Sequence, residues 1–386
     1  MLQENRMSGK SLRMYLNLFF IVLFASMACS GNGPNSKGPK PKPLPDDIPS
    51  LVTILADPYD ANRNAAIDAL IGKGQDAVPE LVAVLDGNDS SRTAAIRILG
   101  AIGQPAVPAL ISALDSDSYQ KRYSAIEILG SIGPNAAEAM PGLMKNLSKP
   151  KGRSQSEVRN EQVAIFHAGA KIDPKNSEFQ TLLAMSSGTQ SLGYDALRVL
   201  GSLKADAAPV VPKIMKVFDS KDAQARLEVM DALEKIGPEP GVVNRIAMVA
   251  ESDSDETNRA KAAQVLGSFG QASASATMAL AKALTDKEST VSRAAADALG
   301  KIAPASREAI GALTNALIGA DPQTRRNAAW ALKAFGPEAK SALPALKQAA
   351  EKDSFDYVRT AAKEAIDAIE GNATAQNSKP IENNNP

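Results

Sequence analysis

One phrase recurs down this chain and restricts its fold more than any other feature. Its clearest copy is Ser91–Asp115, SRTAAIRILGAIGQPAVPALISALD. Ala94, Ala95, Ile98 and Leu99 fall at helical spacing, giving an amphipathic first helix with a narrow face of small residues. Gly100 lets a neighbouring backbone approach closely, and Gly103 suits the left-handed conformation that ends a helix. Pro105 and Pro108 fit the first turn of a second helix, where a missing N–H costs little. Val107, Leu110, Ile111 and Leu114 form the buried stripe of that helix, and Asp115 is placed to cap the next one through its carboxylate.

The phrase returns at Asn64–Asp86, Ser124–Ser148, Tyr194–Asp219, Lys261–Gly270, Arg293–Pro304 and Arg326–Glu351, roughly 29–33 residues apart. No strand-like alternation competes with it. A hairpin of two short helices cannot enclose a core, so neighbours must stack to share one. The expected fold is all-α, a superhelical solenoid of about nine helical hairpins. Only 4% of residues are aromatic against 44% hydrophobic, which fits thin, closely packed helix pairs and leaves little surface for stacking bases. Lys plus Arg is 43 and Asp plus Glu is 43, so no global basic field exists to hold nucleic acid.

The AAxALGxIG phrase, the Arg before it, the Asp closing each unit and the VPxLxxxL second helix together resemble HEAT repeats. The likeness is to the short HEAT-like repeats of the phycobilisome-lyase type, and it covers the chain from about Pro49 to Gly371. It implies a solenoid over residues 48–371, opening on the half repeat Ile48–Asp57 and closing on the first-helix cap Asp353–Gly371. It also implies an inter-repeat ladder, each Arg pairing with an inter-repeat Asp. The Arg column is Arg63, Arg92, Arg122, Arg226, Arg259, Arg325 and Arg359, with Gly193 and Ser292 breaking it. The candidate partners are Asp86, Asp115, Asp219, Asp253, Asp286, Asp321 and Asp353. The pattern degrades at residues 148–189, read as a distorted repeat where the array bends or loosens and as a secondary binding candidate.

Arg6, Lys10 and Arg13 precede the apolar run Leu16–Ala28, which has the length of a signal-peptide core and is short for a membrane span. The run ends in Ala25-Ser26-Met27-Ala28-Cys29, which resembles a bacterial lipobox, with Ser26 where Leu is usual. The resemblance implies a lipoprotein signal peptide over residues 1–28 and diacylglyceryl modification of the Cys29 thiol. It places the protein at the bacterial cell envelope, and Ser30 after the cysteine favours the outer membrane. Residues 29–47, rich in Gly, Pro and Lys, read as a tether, and residues 372–386 as a polar disordered tail.

No motif for phosphate binding, zinc hydrolysis or a serine nucleophile is present. One cysteine and one histidine, His167, leave no basis for a metal site or a cofactor. HEAT-like hydroxylases use repeated His-Glu pairs, which this chain lacks. The function read from the sequence is therefore a non-enzymatic protein-interaction scaffold with an unknown protein partner, held to a membrane by its N-terminal lipid. An accessory subunit of an envelope enzyme or secretion complex is one alternative. An envelope enzyme using residues 148–189 is the other. In this repeat class the second helices line the inner curve. One column lies just outside their buried stripe: Thr53, Ala83, Ser112, Lys145, Lys216, Met248, Lys282, Asn315 and Gln348. Lys213 lies one turn before Lys216. Lys145, Lys213, Lys216, Lys282, Asn315 and Gln348 are the candidate groove for an extended polar or acidic segment.

Overall fold

The first and second helices alternate without interruption. The structure, a computed structural model, describes residues 43–150, 154–188, 190–239, 241–303 and 305–371. The Cys29 lipobox, the proposed signal peptide and the tail from Asn372 lie outside the described residues.

Numbered in chain order, α1 (Ile48–Ile54) is a second helix without a partner before it. Hairpins then follow as α2 (Arg63–Lys73) with α3 (Val78–Ala83), α4 (Asp89–Ile102) with α5 (Val107–Ala113), and α6 (Tyr119–Ile132) with α7 (Met140–Ser148). The middle of the array holds α8 (Gln155–Ile172) with α9 (Ser177–Ser186), α10 (Gln190–Ser202) with α11 (Val211–Ile214), and α12 (Ala223–Ile236) with α13 (Val242–Ser252). Next come α14 (Glu256–Ser268) with α15 (Thr277–Ala283), α16 (Ser289–Ile302) with α17 (Ala309–Ala316), and α18 (Pro322–Phe335) with α19 (Leu343–Lys352). The described residues close on α20 (Asp356–Glu370), a first helix without a second. These are nine hairpins with a half repeat at each end, as the sequence implies. No strand occurs among the described residues.

Second helices pack against the first helix of the following hairpin, through the 3-10 turn Met215–Asp219 in the case of α11, so the core is continuous across repeats. Leu51, Leu81, Leu110, Leu143, Leu183, Ile214, Ile246, Leu280, Leu313 and Leu346 mark its second-helix wall and are fully buried. First helices also stack on first helices, and here glycine sets the spacing. A Cβ on Gly130, Gly201, Gly267 or Gly300 would lie 2.9–3.1 Å from the Cα of Ala168, Ala232, Ala298 or Ala331 in the next first helix.

The corners follow the sequence with two corrections. Gly103 has φ +73°, with ψ −133° taking it outside the left-handed helical well. Lys204 takes a positive φ of 53° at the corresponding corner of the α10–α11 hairpin. Asp115 does not cap the next helix. Ser118 does, accepting from the Lys121 N–H at 3.3 Å, as Asn88, Asp222 and Asp255 do for their own helices. Asp115 lies too far from the start of α6, and its carboxylate is taken by Lys145 at 3.0 Å.

Residues 154–186 are not a loosened segment. Ser154 and Glu157 form a reciprocal capping box, and α8 has 18 residues. Phe166 and Phe179 are fully buried, with Gly169 making room for the Phe179 ring. What the repeat lacks is the glycine corner; a hydrogen-bonded turn at Asp173–Asn176 replaces it.

Candidate protein-binding face

Three arginines in the C-terminal half bridge successive inter-repeat loops, and a fourth reaches forward to one. Arg226 donates its Nη1–H to the Ser220 carbonyl, six residues back, at 2.8 Å. Its Nε and Nη2 grip both oxygens of Asp253, 27 residues ahead, at 2.7 Å each. Arg259 repeats this with the Asp253 carbonyl and the Asp286 carboxylate, and Arg325 with the Gly319 carbonyl and Asp353. Arg293, one position beyond the gap at Ser292, reaches Asp321 through Nε at 2.8 Å. Its contact holds the Asp321 carboxyl far below the usual carboxylate range, and Arg259 and Arg325 lower Asp286 and Asp353 in the same way. At Asp253, burial pushes the carboxyl up, and the Arg226 contact, the Asp255 backbone N–H and Asn258 together bring it below the usual value.

The N-terminal half departs from the expected ladder. Arg63 is the first residue of α2 and donates to the Leu55 and Ser90 carbonyls instead of to Asp86. Arg92 turns to Asp89 of its own helix and to the Gly87 carbonyl. Arg122 is buried against the buried Glu161 of α8, with its Nε 2.9 Å from the carboxylate. Arg359, at the end of the array, pairs with Asp356 on its own helix. The carboxylates left over are taken by cations of later helices: Asp86 by Lys121 at 3.0 Å, Asp115 by Lys145 and Asp219 by Arg245.

The column breaks open the surface. An arginine at 193 would bridge the loop of Ser187 and the loop of Ser220, by the spacing of Arg226. The short link from α9 to α10 forbids any side chain there: a Cβ on Gly193 would lie 2.6 Å from the Ser187 carbonyl oxygen. Between those two loops lies a cleft of about 820 Å³, lined by Met185, Ser187, Lys213, Lys216, Lys221 and Asp222 among others. At the second gap, Ser292, the equivalent cleft measures about 330 Å³ and contains Asn315 in the place of Lys216. One repeat further, where Arg325 is present, the cleft at Gln348 falls to about 210 Å³. Cleft volume thus follows the size of the column residue.

Charge within the largest cleft is one-sided. Asp219 is held by Arg245, and Asp222 accepts from the Tyr194 hydroxyl, which lowers its carboxyl below the usual value. Lys213 donates to Thr181 Oγ1 at 3.0 Å, while Lys216 and Lys221 are exposed and have no ion pair or hydrogen bond among the described residues. The other two groove lysines are spoken for: Lys145 by Asp115, and Lys282 by Glu251 at 2.5 Å. The groove is therefore one cationic cleft around Lys216, and Lys145 and Lys282 are not free members of a continuous basic stripe. Lys221 and Arg293 lie off the columns read from the sequence, Lys221 in the loop beyond Asp219 and Arg293 one position past Ser292.

Among the described residues no group of three His, Cys, Asp or Glu side chains is close enough to hold a metal, and no single helix is long and apolar enough to cross a membrane. His167 is exposed on α8, its imidazole held below the usual value by the surrounding protein and then by Lys171.

A sequence profile of HEAT repeats matches residues 48–130, 78–160, 243–318 and 303–367. This chain belongs to the HEAT-repeat family. No curated protein sequence matches it. Among solved structures the HEAT-repeat array is similar to Kap121p, at 16% identity, over 83% of this chain and 41% of that one, with a TM-score of 0.55. It is also similar to Kap95p in its structure with RanGDP, at 14% identity over 86% and 51%, TM-score 0.53. Importin beta aligns at 15% identity over 83% and 50%, TM-score 0.53. The chain spans about half or less of these longer solenoids, and at such identities the likeness concerns the fold. HEAT-repeat solenoids are typically protein-interaction scaffolds without catalytic activity.

Proposed function

We propose that this protein is a non-enzymatic scaffold, lipid-anchored through Cys29 at the bacterial cell envelope, that binds an extended acidic segment of a partner protein along its second-helix edge. The observation that carries the binding reading is the cleft at the Gly193 gap. It is the widest of the three clefts compared along the column, and its carboxylates are already engaged while Lys216 and Lys221 have no ion pair or hydrogen bond among the described residues. A carboxylate entering it meets cations without having to displace an existing pair. Solenoids of this fold bind other proteins, Kap121p with Nup53p among them, which supports the class of function without naming a partner.

The anchor reading rests on the apolar run Leu16–Ala28 followed by Cys29. The two acyl chains of a diacylglyceryl group would hold the protein to a bilayer far more firmly than one. Two measurements test the two halves separately. Metabolic labelling with a fatty acid should mark the wild type and leave Cys29→Ser unlabelled and released from membranes; label on the variant refutes the anchor. Affinity capture from solubilised membranes should recover a stoichiometric partner with the wild type and lose it with Lys216→Glu. Equal recovery removes the cleft from the function.

A further inference from the structure

Gly193 and Ser292, the two gaps in the arginine column, are 99 positions apart. That is three periods of the 33-residue spacing at which α12, α14, α16 and α18 begin. The clefts at these gaps are equivalent in register: Lys216 in the first stands where Asn315 stands in the second. Their contents differ. The first offers Lys213, Lys216 and Lys221; the second is walled mainly by small residues and by Asp286 and Asp321, which Arg259 and Arg293 engage, and it offers the exposed Asn315 amide and Lys287 ammonium. Between them the same face presents Met248, 56% exposed, and the Lys282–Glu251 pair.

We infer that the two clefts are two anchor points for one extended, net-acidic protein segment. This deepens the proposed function and rests on its assignment of the second-helix edge as the binding face. Packed helices lie about 8–10 Å apart, so three repeats separate the clefts by about 24–30 Å. An extended chain advances about 3.3 Å per residue, so the two anchoring residues are about 7–9 apart in the partner. A carboxylate side chain enters the cleft at Lys216. An apolar residue between the anchors rests on Met248, whose unbranched thioether adapts to varied shapes. A second carboxylate or an amide enters the cleft at Asn315 and Lys287. The gap residues favour these two positions: the repeat that keeps Arg325 offers a smaller opening, about 210 Å³.

The test uses the full chain and fluorescein-labelled synthetic peptides. Each peptide carries two Glu-Glu pairs joined by a Gly/Ser spacer of about 3, 8 or 14 residues with one central Leu. Fluorescence anisotropy should find the middle spacer bound about tenfold more tightly than the shortest, because its second anchor engages at high effective concentration. Lys216→Glu should weaken all three peptides. The surface pair Lys287→Glu with Asn315→Glu should remove only the advantage of the middle spacer. Ser292→Arg, which fills the second cleft with the residue other repeats carry, should do the same. If affinity is independent of spacer and the second-cleft variants change nothing while Lys216→Glu still weakens binding, the two-anchor inference is wrong and the binding face stands. If no peptide binds, or Lys216→Glu has no effect, both are wrong.

Discussion

Replacing Gly267 by alanine should destabilise the array, although alanine is the better helix former by about 1 kcal/mol. The added Cβ would lie 2.9 Å from the Ala298 Cα and 3.1 Å from its Cβ. Carbon atoms rest at about 3.5–4.0 Å, so the overlap is more than half an ångström, against backbone that cannot rotate aside. Such overpacking costs about 1–3 kcal/mol, which leaves a net loss of up to about 2 kcal/mol after the helix gain is subtracted. Gly72, near the end of α2, supplies the control, because a Cβ there meets nothing within 4 Å. Gly72→Ala should keep the helix gain alone and stabilise by up to about 1 kcal/mol. The same chemical change thus carries opposite signs at two glycines. Urea denaturation followed by helical circular dichroism reads the difference as midpoint shifts at constant slope. A Gly267→Ala midpoint at or above that of the wild type, with the slope unchanged, refutes the close-stacking argument.

Ser273 and Ser306 are fully buried, and their hydroxyls find no hydrogen-bond partner among the described residues, at a register where Ala136 and Ala339 stand elsewhere. Ser273→Ala and Ser306→Ala should each raise the urea midpoint, by about 1 kcal/mol of stability, since a buried hydroxyl without a partner costs about 1–3 kcal/mol. Lys204→Gly should stabilise by roughly 1 kcal/mol in the same assay, because a lysine at φ 53° carries a backbone cost that glycine does not. At the buried pair Arg122–Glu161, Glu161→Ala should cost about 3–5 kcal/mol, whereas Arg122→Met combined with Glu161→Leu should recover most of that loss. Asp286, Asp321 and Asp353 have folded-state carboxyls held below the ordinary value, so the unfolded chain binds more protons as pH falls through about 4. Their contribution is therefore present above about pH 4 and is lost progressively below it, and the urea midpoint should drop over that interval. It should drop less steeply in Asp286→Asn.

The fold could be read from the sequence because each repeat is locally complete in its instructions. Alanines at Ala94 and Ala95, the glycine at Gly103 and the proline at Pro108 specify helix, corner and helix without reference to distant residues. The arginine column was legible for the same reason, and so were its gaps at Gly193 and Ser292. Asp253, Asp286, Asp321 and Asp353 were legible as arginine partners too, whereas the partners of Asp86, Asp115 and Asp219 were not. Lys121, Lys145 and Arg245 come from helices outside the column and reach Asp86, Asp115 and Asp219 first. Nor does repeat periodicity disclose the cleft. It arises because the α9–α10 link is short enough to press the Ser187 carbonyl against Gly193, a distance that no spacing rule contains. A groove drawn from a column of lysines counts charges; only the structure reveals which of them are already neutralised.

Because the interior passes from each second helix to the first helix that follows, no hairpin is the centre of the molecule. Excising one whole 33-residue period between α12 and α18 would rejoin a seam of the same kind as the one removed. Cutting away a third of that length would strand a greasy helix face with nothing to lean on. Reach is thus adjustable in discrete increments by duplication or loss of entire modules. The distance between the two side-chain receptacles would change in step, retuning which ligand spacing is accepted while leaving every individual module as it was.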